Sequence, residues 1–192
     1  MGFVSHRCIL IGDGSTYDKA LTLFLSSWIE QGLTVLAVNG GLDVIQEARD
    51  YEYKLKSLGP SILPYTQDGY PLFDLLCIGI GTDGHVGSIY PNTQDAISSR
   101  VVVPVSDKQV KISLSLKSML KSKYCVVSCS GKSTKAPLGK AEAMYRALES
   151  TGENASSFPA SVLRQKAVWL IDEDSAVMLK QRGGKSINMR IV

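Results

Sequence analysis

A nearly unbroken apolar run that ends in a glycine-rich turn dominates the middle of this 192-residue chain. The run is FDLLCIGI at residues 73–80, and GTDG follows it at 81–84. A continuous run of this kind predicts a strand that is buried on both faces, as in a parallel sheet covered by helices. We therefore expect an α/β fold.

The remaining chain alternates short apolar runs with helical patterns, which predicts an open, mostly parallel sheet with helices on both faces. We expect one domain over residues 1–192, with a flexible tail at 181–192. The other predicted strands are 8–11, 34–40, 101–105, 110–116, 124–129 and 167–171. The predicted helices are 15–31, ended by Gly32, 43–58, ended by Gly59-Pro60, 139–149 and 172–180, and loops are expected at 60–71 and 132–139.

Charge and cysteine content narrow the class of protein. The formal net charge of +3 is spread along the chain, which argues against nucleic-acid binding. No pair of the four cysteines has the C-x-x-C spacing, and two histidines do not complete a zinc set, so we expect no metal. The thiols are predicted to be buried and reduced. They are Cys8, Cys77, Cys125 and Cys129.

The N-terminal segment MGFVSHRCILIGDG lacks an apolar stretch followed by a small-residue cleavage site. No apolar run elsewhere is long enough to cross a bilayer. These two observations predict a cytoplasmic protein that does not bind membranes.

Two glycine-containing segments resemble nucleotide-binding loops. Residues 79–84 match G-x-G-x-x-G, but the helix that should follow is interrupted at Tyr90-Pro91, and the next apolar run has no terminal acid. The segment SCSGKST at 128–134 has Val126 where a P-loop needs glycine. We therefore expect neither a dinucleotide nor a nucleoside triphosphate, and no cofactor.

A different interpretation of the 79–91 segment includes its histidine. His85 follows the strand at its carboxyl end, the edge where open α/β sheets place their ligands. Small residues around it, such as Gly81, Gly84 and Ser88, would let a substrate approach the backbone closely. The loop context therefore favours a functional role for His85 over a structural one.

The segment FDLLCIGIGTDGHVGSIYP resembles the signature of the 6-phosphogluconolactonases, within the glucosamine-6-phosphate isomerase/6-phosphogluconolactonase superfamily. Further segments, EARDYEYKL, KQVKISLSL, GKA at 139–141 and AVWLIDEDSA, resemble family elements in the expected order. The related glucosamine-6-phosphate deaminases share the D-G-H turn but continue with Phe-Asn-Glu-Pro. Here Gly-Ser-Ile-Tyr-Pro follows, which favours the lactonase.

The chain also departs from the family pattern. Nothing in it resembles the initial glycine-rich S-G-G-S-T-P turn, so it looks N-terminally truncated relative to the family. Where the family has Asp-Glu-Arg, this chain has Ser5-His6-Arg7. A missing first βα unit would leave an exposed sheet edge, for which we expect either a covering partner chain or a fused dehydrogenase domain.

The resemblance implies hydrolysis of 6-phospho-D-glucono-1,5-lactone in the pentose phosphate pathway, with a small sugar phosphate as substrate. His85, supported by Asp83, would act as the catalytic base. Amides of the Gly81–Gly84 turn would stabilise the oxyanion. The other implied substrate contacts are Ser88 and the phosphate ligands Arg7, Lys111 and Lys140. The alternatives are a degenerate member that binds sugar phosphates or a partner with little turnover, and, less favoured, a deaminase.

Overall fold

The computed structural model describes residues 1–105, 110–132, 139–180 and 188–191. Its helices are α1 (Thr16–Ala20), α2 (Ser26–Glu30), α3 (Val44–Ser57), α4 (Leu116–Lys121), α5 (Ala141–Leu148) and α6 (Glu173–Ala176), with a π-helical segment, Leu21–Leu25, between the first two. Two 3₁₀ turns lie at Gln94–Ile97 and Pro159–Leu163. The strands are β1 (Ser5–Arg7), β2 (Leu75–Gly79), β3 (Val102–Val105), β4 (Lys111–Leu114), β5 (Tyr124–Cys129), β6 (Val168–Ile171) and β7 (Met189–Ile191).

A four-stranded parallel sheet confirms the α/β prediction. Its order is β2-β5-β6-β7, and every neighbouring pair is parallel. The inner strands carry the core, where Val127, Trp169 and Ile171 are fully buried. Because all four strands run the same way, their carboxyl ends lie at one edge of the sheet.

A second, antiparallel sheet has the order β1-β4-β3. The predicted strands at 101–105 and 110–116 belong to this sheet and not to the parallel one. The residues after Leu114 form the helix α4, which the apolar pattern did not predict; Ser115 caps it by accepting a hydrogen bond from the Ser118 amide.

Two predicted strands are wrong. Residues 8–11 are not a strand; the pairing to β4 ends at Arg7. In 34–40, only Leu36 makes a bridge, to Gly2. That segment's neighbour is the short stretch around Gly2, which offers too few backbone partners for a regular ladder.

Helical residues 16–30 confirm the predicted first helix. Ser15 caps it and forms a capping box with Asp18, and Gly32 beyond its end has a φ of 95°. Its apolar face is not buried as a whole: Leu25 is fully buried, whereas Phe24 is 40% and Trp28 49% exposed.

The helix α3 confirms the prediction for residues 43–58. Asp43 caps it by accepting hydrogen bonds from the amides of Ile45 and Gln46. Its buried face includes Glu47, whose carboxylate accepts hydrogen bonds from backbone amides of the preceding loop.

The sequence predicted that the strand β2 is buried on both faces, and this prediction is wrong. Its side chains alternate, with Leu76 and Ile78 buried and Leu75 and Cys77 exposed. The face that carries Leu75 and Cys77 borders an open cavity, so these side chains stay exposed. Cys77 therefore differs from the other three cysteines, which are buried as predicted.

The C-terminal segments differ in part from the expectation. Met189–Ile191 form β7 beside β6, so this portion of the predicted flexible tail is a strand; 181–187 and 192 lie outside the described residues. The helix α6 is shorter than predicted, and most of the predicted loop at 132–139 also lies outside them. In the described part of the chain, no helix is long and apolar enough to span a membrane.

Candidate active site

A tight turn after β2 brings His85 to the carboxyl edge of the parallel sheet. Ile80 and Val86 form an antiparallel bridge. The Gly81 amide donates to the His85 carbonyl at 2.9 Å, and the Gly84 amide donates to the Gly81 carbonyl at 3.1 Å. The loop is therefore closed by its own backbone before any side chain contributes.

Two glycines of this turn are required by space. A Cβ on Gly81 would overlap the imidazole of His85 and the carboxylate of Asp83. Gly84 has a φ of 85° and lies against the ring of Phe158, and its carbonyl accepts a hydrogen bond from the Ala160 amide at 2.9 Å. The 3₁₀ turn that starts at residue 159 thus supports the histidine loop from behind.

His85 and Asp83 form the predicted catalytic pair. Nδ1 of His85 lies 2.6 Å from Oδ1 of Asp83, and the His85 amide donates to the same oxygen at 3.1 Å. Partial burial by itself would raise the pKa of Asp83, but these hydrogen bonds outweigh it and lower the pKa below its usual value. The carboxylate therefore stays ionised and holds Nδ1, which leaves Nε2 of His85 for other chemistry.

Tyr90 is a site residue that sequence reasoning missed. Its ring lies 4.7 Å from the His85 ring, centroid to centroid, at an angle of 39°. Its hydroxyl accepts a hydrogen bond from the Lys111 ammonium at 3.3 Å. The available signal was an aromatic residue directly before Pro91, at the end of the histidine segment.

The predicted phosphate ligands come from the antiparallel sheet and from the start of α5. Arg7 and Lys111 are directly opposite each other on β1 and β4. Lys140 comes from the start of α5, and its ammonium donates to the Ile80 carbonyl at 2.9 Å, immediately before the histidine turn. Lys111 is tied to the turn through Tyr90, so two of the three cations touch the His85 segment.

Ser88 has a different environment from the other predicted substrate contacts. It is buried, and its hydroxyl lies 2.5 Å from the hydroxyl of Ser5. Its amide donates to Oγ of Ser113 at 3.1 Å. The structure thus places Ser88 in a polar contact that joins the histidine segment to the antiparallel sheet.

Comparisons with known proteins identify the family. Residues 3–171 match the family described as glucosamine-6-phosphate isomerases/6-phosphogluconolactonase. The chain belongs to this family. The human 6-phosphogluconolactonase is 29% identical over 189 residues, which cover 93% of this chain and 67% of the human protein. The chloroplastic 6-phosphogluconolactonase 3 of Arabidopsis thaliana is 32% identical over 174 residues, covering 87% of this chain and 51% of the plant protein.

Solved structures share the fold. The crystal structure of 6-phosphogluconolactonase from Leishmania guyanensis superposes with a TM-score of 0.69 at 22% identity, covering 94% of this chain and 74% of that chain. The chain therefore spans about half to three quarters of the length of these family members.

Proposed function

We propose that this chain hydrolyses 6-phospho-D-glucono-1,5-lactone to 6-phosphogluconate, with His85 as the base that activates water. The observation that carries the proposal is the His85–Asp83 pair at 2.6 Å, at the carboxyl edge of the sheet in a member of this family. A lactone is an activated ester, so its hydrolysis needs a base, an oxyanion donor and a phosphate site, and no covalent nucleophile.

The proton steps follow from the orientation of the imidazole. With Nδ1–H donating to Asp83, Nε2 accepts a proton from water as the oxygen attacks the lactone carbonyl. The tetrahedral intermediate then breaks its bond to the ring oxygen. That oxygen takes the proton back from Nε2 and becomes the hydroxyl of the open-chain acid.

The charges around the turn support a phosphorylated, anionic substrate. Arg7 and Lys111 offer neighbouring cations on the antiparallel sheet, and we assign them to the phosphate. Lys140 lies at the turn itself and is the cation best placed for charge that develops on the carbonyl oxygen. The amides of Gly81 and Gly84 donate hydrogen bonds within the turn. They can donate to the oxyanion only if those hydrogen bonds open.

The test is disappearance of freshly generated lactone, compared with its spontaneous hydrolysis in the same buffer. We expect the wild-type chain to add a catalysed rate, and His85→Ala to lower it by about 10²–10⁴-fold because the proton acceptor is lost. Circular dichroism of the variant controls for folding. A wild-type rate equal to the uncatalysed rate would refute the lactonase proposal, and ammonia release from glucosamine 6-phosphate would favour the deaminase.

A second candidate is a binding module with little turnover that is covered by another polypeptide. One observation favours it: an apolar groove runs from His85 along the uncovered side of β2, and Phe24, Trp28 and Leu75 line it. Adjacent exposed apolar side chains of this kind are typical of protein interaction surfaces. Binding of 6-phosphogluconate without turnover, and recovery of activity on addition of a covering chain, would support this candidate.

A further inference from the structure

One aromatic side chain touches both the base and a cation of the site. Tyr90 lies with its ring 4.7 Å from that of His85, and its hydroxyl is 3.3 Å from the Lys111 ammonium. The ammonium is 5.8 Å from the centre of the ring, so it lies at the hydroxyl end and not against the middle of the ring face. The two ends of this side chain therefore make two different contacts.

The backbone around Tyr90 is fixed independently of these contacts. Its carbonyl accepts a hydrogen bond from the Thr93 hydroxyl at 2.8 Å. Pro91 restricts the next φ, and the Asn92 amide donates to the Ser156 carbonyl at 2.7 Å. The ring also packs against the hydrophobic core. A side chain anchored in this way can restrict the groups that rest on it.

Both partners would otherwise have freedom to move. His85 is held at Nδ1 by Asp83, but its side chain remains 32% exposed, and a single hydrogen bond allows the ring to rock about that contact. Lys111 ends in a flexible four-carbon chain with strongly hydrated ammonium. The ring of Tyr90 limits the first motion, and its hydroxyl limits the second.

We propose that Tyr90 is a positioning residue that sets the orientation of the His85 imidazole with its ring and the place of the Lys111 ammonium with its hydroxyl. The separation between base and cation is then determined by one rigid side chain. A substrate fits the site when the distance between its anionic group and its reacting carbon matches the distance between this cation and this base. This inference rests on the proposed function, because it assigns Lys111 to the substrate anion.

Three variants test the contact between the Tyr90 hydroxyl and Lys111. Tyr90→Phe keeps the ring and removes the hydroxyl, so we expect KM to rise about tenfold with kcat nearly unchanged. Lys111→Met should raise KM at least as much. The double variant should be no worse than Lys111→Met alone, because the hydroxyl acts through the lysine. Effects that multiply in the double variant would overturn this part of the proposal.

Tyr90→Leu tests the ring. We expect it to lower kcat as well as raise KM, because the imidazole loses the surface that orients it. If kcat and KM of Tyr90→Leu equal those of Tyr90→Phe, the ring does not position the base. Thermal unfolding of both variants shows whether a loss of stability accounts for the difference.

Proton NMR supplies a readout that does not depend on turnover. The chain has two histidines, so the His85 imidazole signals are easily distinguished from those of fully buried His6. The Tyr90 ring current should shift the His85 signals, and this shift should persist in Tyr90→Phe and vanish in Tyr90→Leu. Unchanged His85 signals in Tyr90→Leu would overturn the proposal even if the chain had no lactonase activity, whereas a normal shift without turnover would contradict only the proposed function.

Discussion

At the level of single residues, the site depends on a turn in which the functional side chains occupy space that only glycine leaves free. Asp83 orients His85, and Gly81 leaves the space that both side chains occupy. The family resemblance of this segment implied that both residues are catalytic, and the structure adds the contact between them. Tyr90 was not predictable in the same way, because its contact with Lys111 joins positions 21 residues apart.

Gly81→Ala should separate the catalytic pair without unfolding the chain. The new Cβ would overlap the His85 ring, and a displacement of about 1 Å lowers a catalysed rate by about 10²-fold. The measurement is kcat/KM for the lactone. Gly79→Ala is the matched control, because no atom lies within 4 Å of its added Cβ and its φ is not in the left-handed region. Equal losses in the two variants would contradict the role of Gly81.

Among the helices and strands, the first helical region shows that local sequence signals set the ends of a helix, whereas packing sets which of its side chains are buried. Its start at Ser15 follows from the capping box, and its end near Gly32 follows from the positive φ that glycine allows. Helical periodicity puts Phe24, Leu25 and Trp28 on one face. Packing buries Leu25 and leaves Phe24 and Trp28 exposed.

The two leucines of this helical region should respond differently to truncation. Leu25→Ala removes a fully buried side chain and should lower the free energy of unfolding by about 2–5 kcal/mol. Leu23→Ala, at 78% exposure, should change it by less than about 0.5 kcal/mol. Urea denaturation of both variants measures the difference. A large loss in Leu23→Ala would mean that this face is covered in solution.

At the scale of the whole molecule, the site lies where the two sheets meet. The histidine segment leaves the parallel sheet at Ile80, and Ser88 fastens it to the antiparallel sheet through Ser5 and Ser113. One sheet therefore carries His85, and the other carries Arg7 and Lys111. Neither sheet alone would bring the histidine and the two cationic residues together.

Buried acidic groups should make the folded state sensitive to alkaline pH. Burial raises the pKa of Cys8 from 9.0 to about 12, of Cys125 from 9.0 to about 11, and of Tyr51 from 10.0 to about 12. Below about pH 9 these groups are protonated in both states and stability is fully present. Above it the unfolded chain loses protons that the folded chain retains, so stability should fall as pH rises toward 12.

The melting temperature between pH 8 and pH 11 measures this loss. Cys125→Ala removes one of the three groups and should make the decline shallower, although the variant is less stable at pH 8. A melting temperature that is constant up to pH 11 would show that burial does not hold these protons.

The features that depend on neighbours along the chain could be predicted from the amino-acid sequence. These include the helix starting at Ser15, the helix starting after Asp43, the parallel strand β5 and the His85 turn with its Asp83 partner. Capping, side-chain periodicity and turn geometry operate over a few residues, so their signals can be read directly. The family resemblance followed from the same local segment, and the match over residues 3–171 confirms it.

Features that depend on the residues packed against a segment, or paired with its backbone, are settled by the tertiary structure. An apolar run such as 73–80 indicates that its side chains prefer burial, but one face of β2 is left uncovered, and Leu75 and Cys77 are exposed. The segment 34–40 has strand-like residues and lacks an adequate neighbour for its backbone. The contact of Tyr90 with His85 and Lys111 likewise exists only once two sheets meet. Burial and backbone pairing each depend on two contacting segments. A single stretch of sequence contains only one of the two segments.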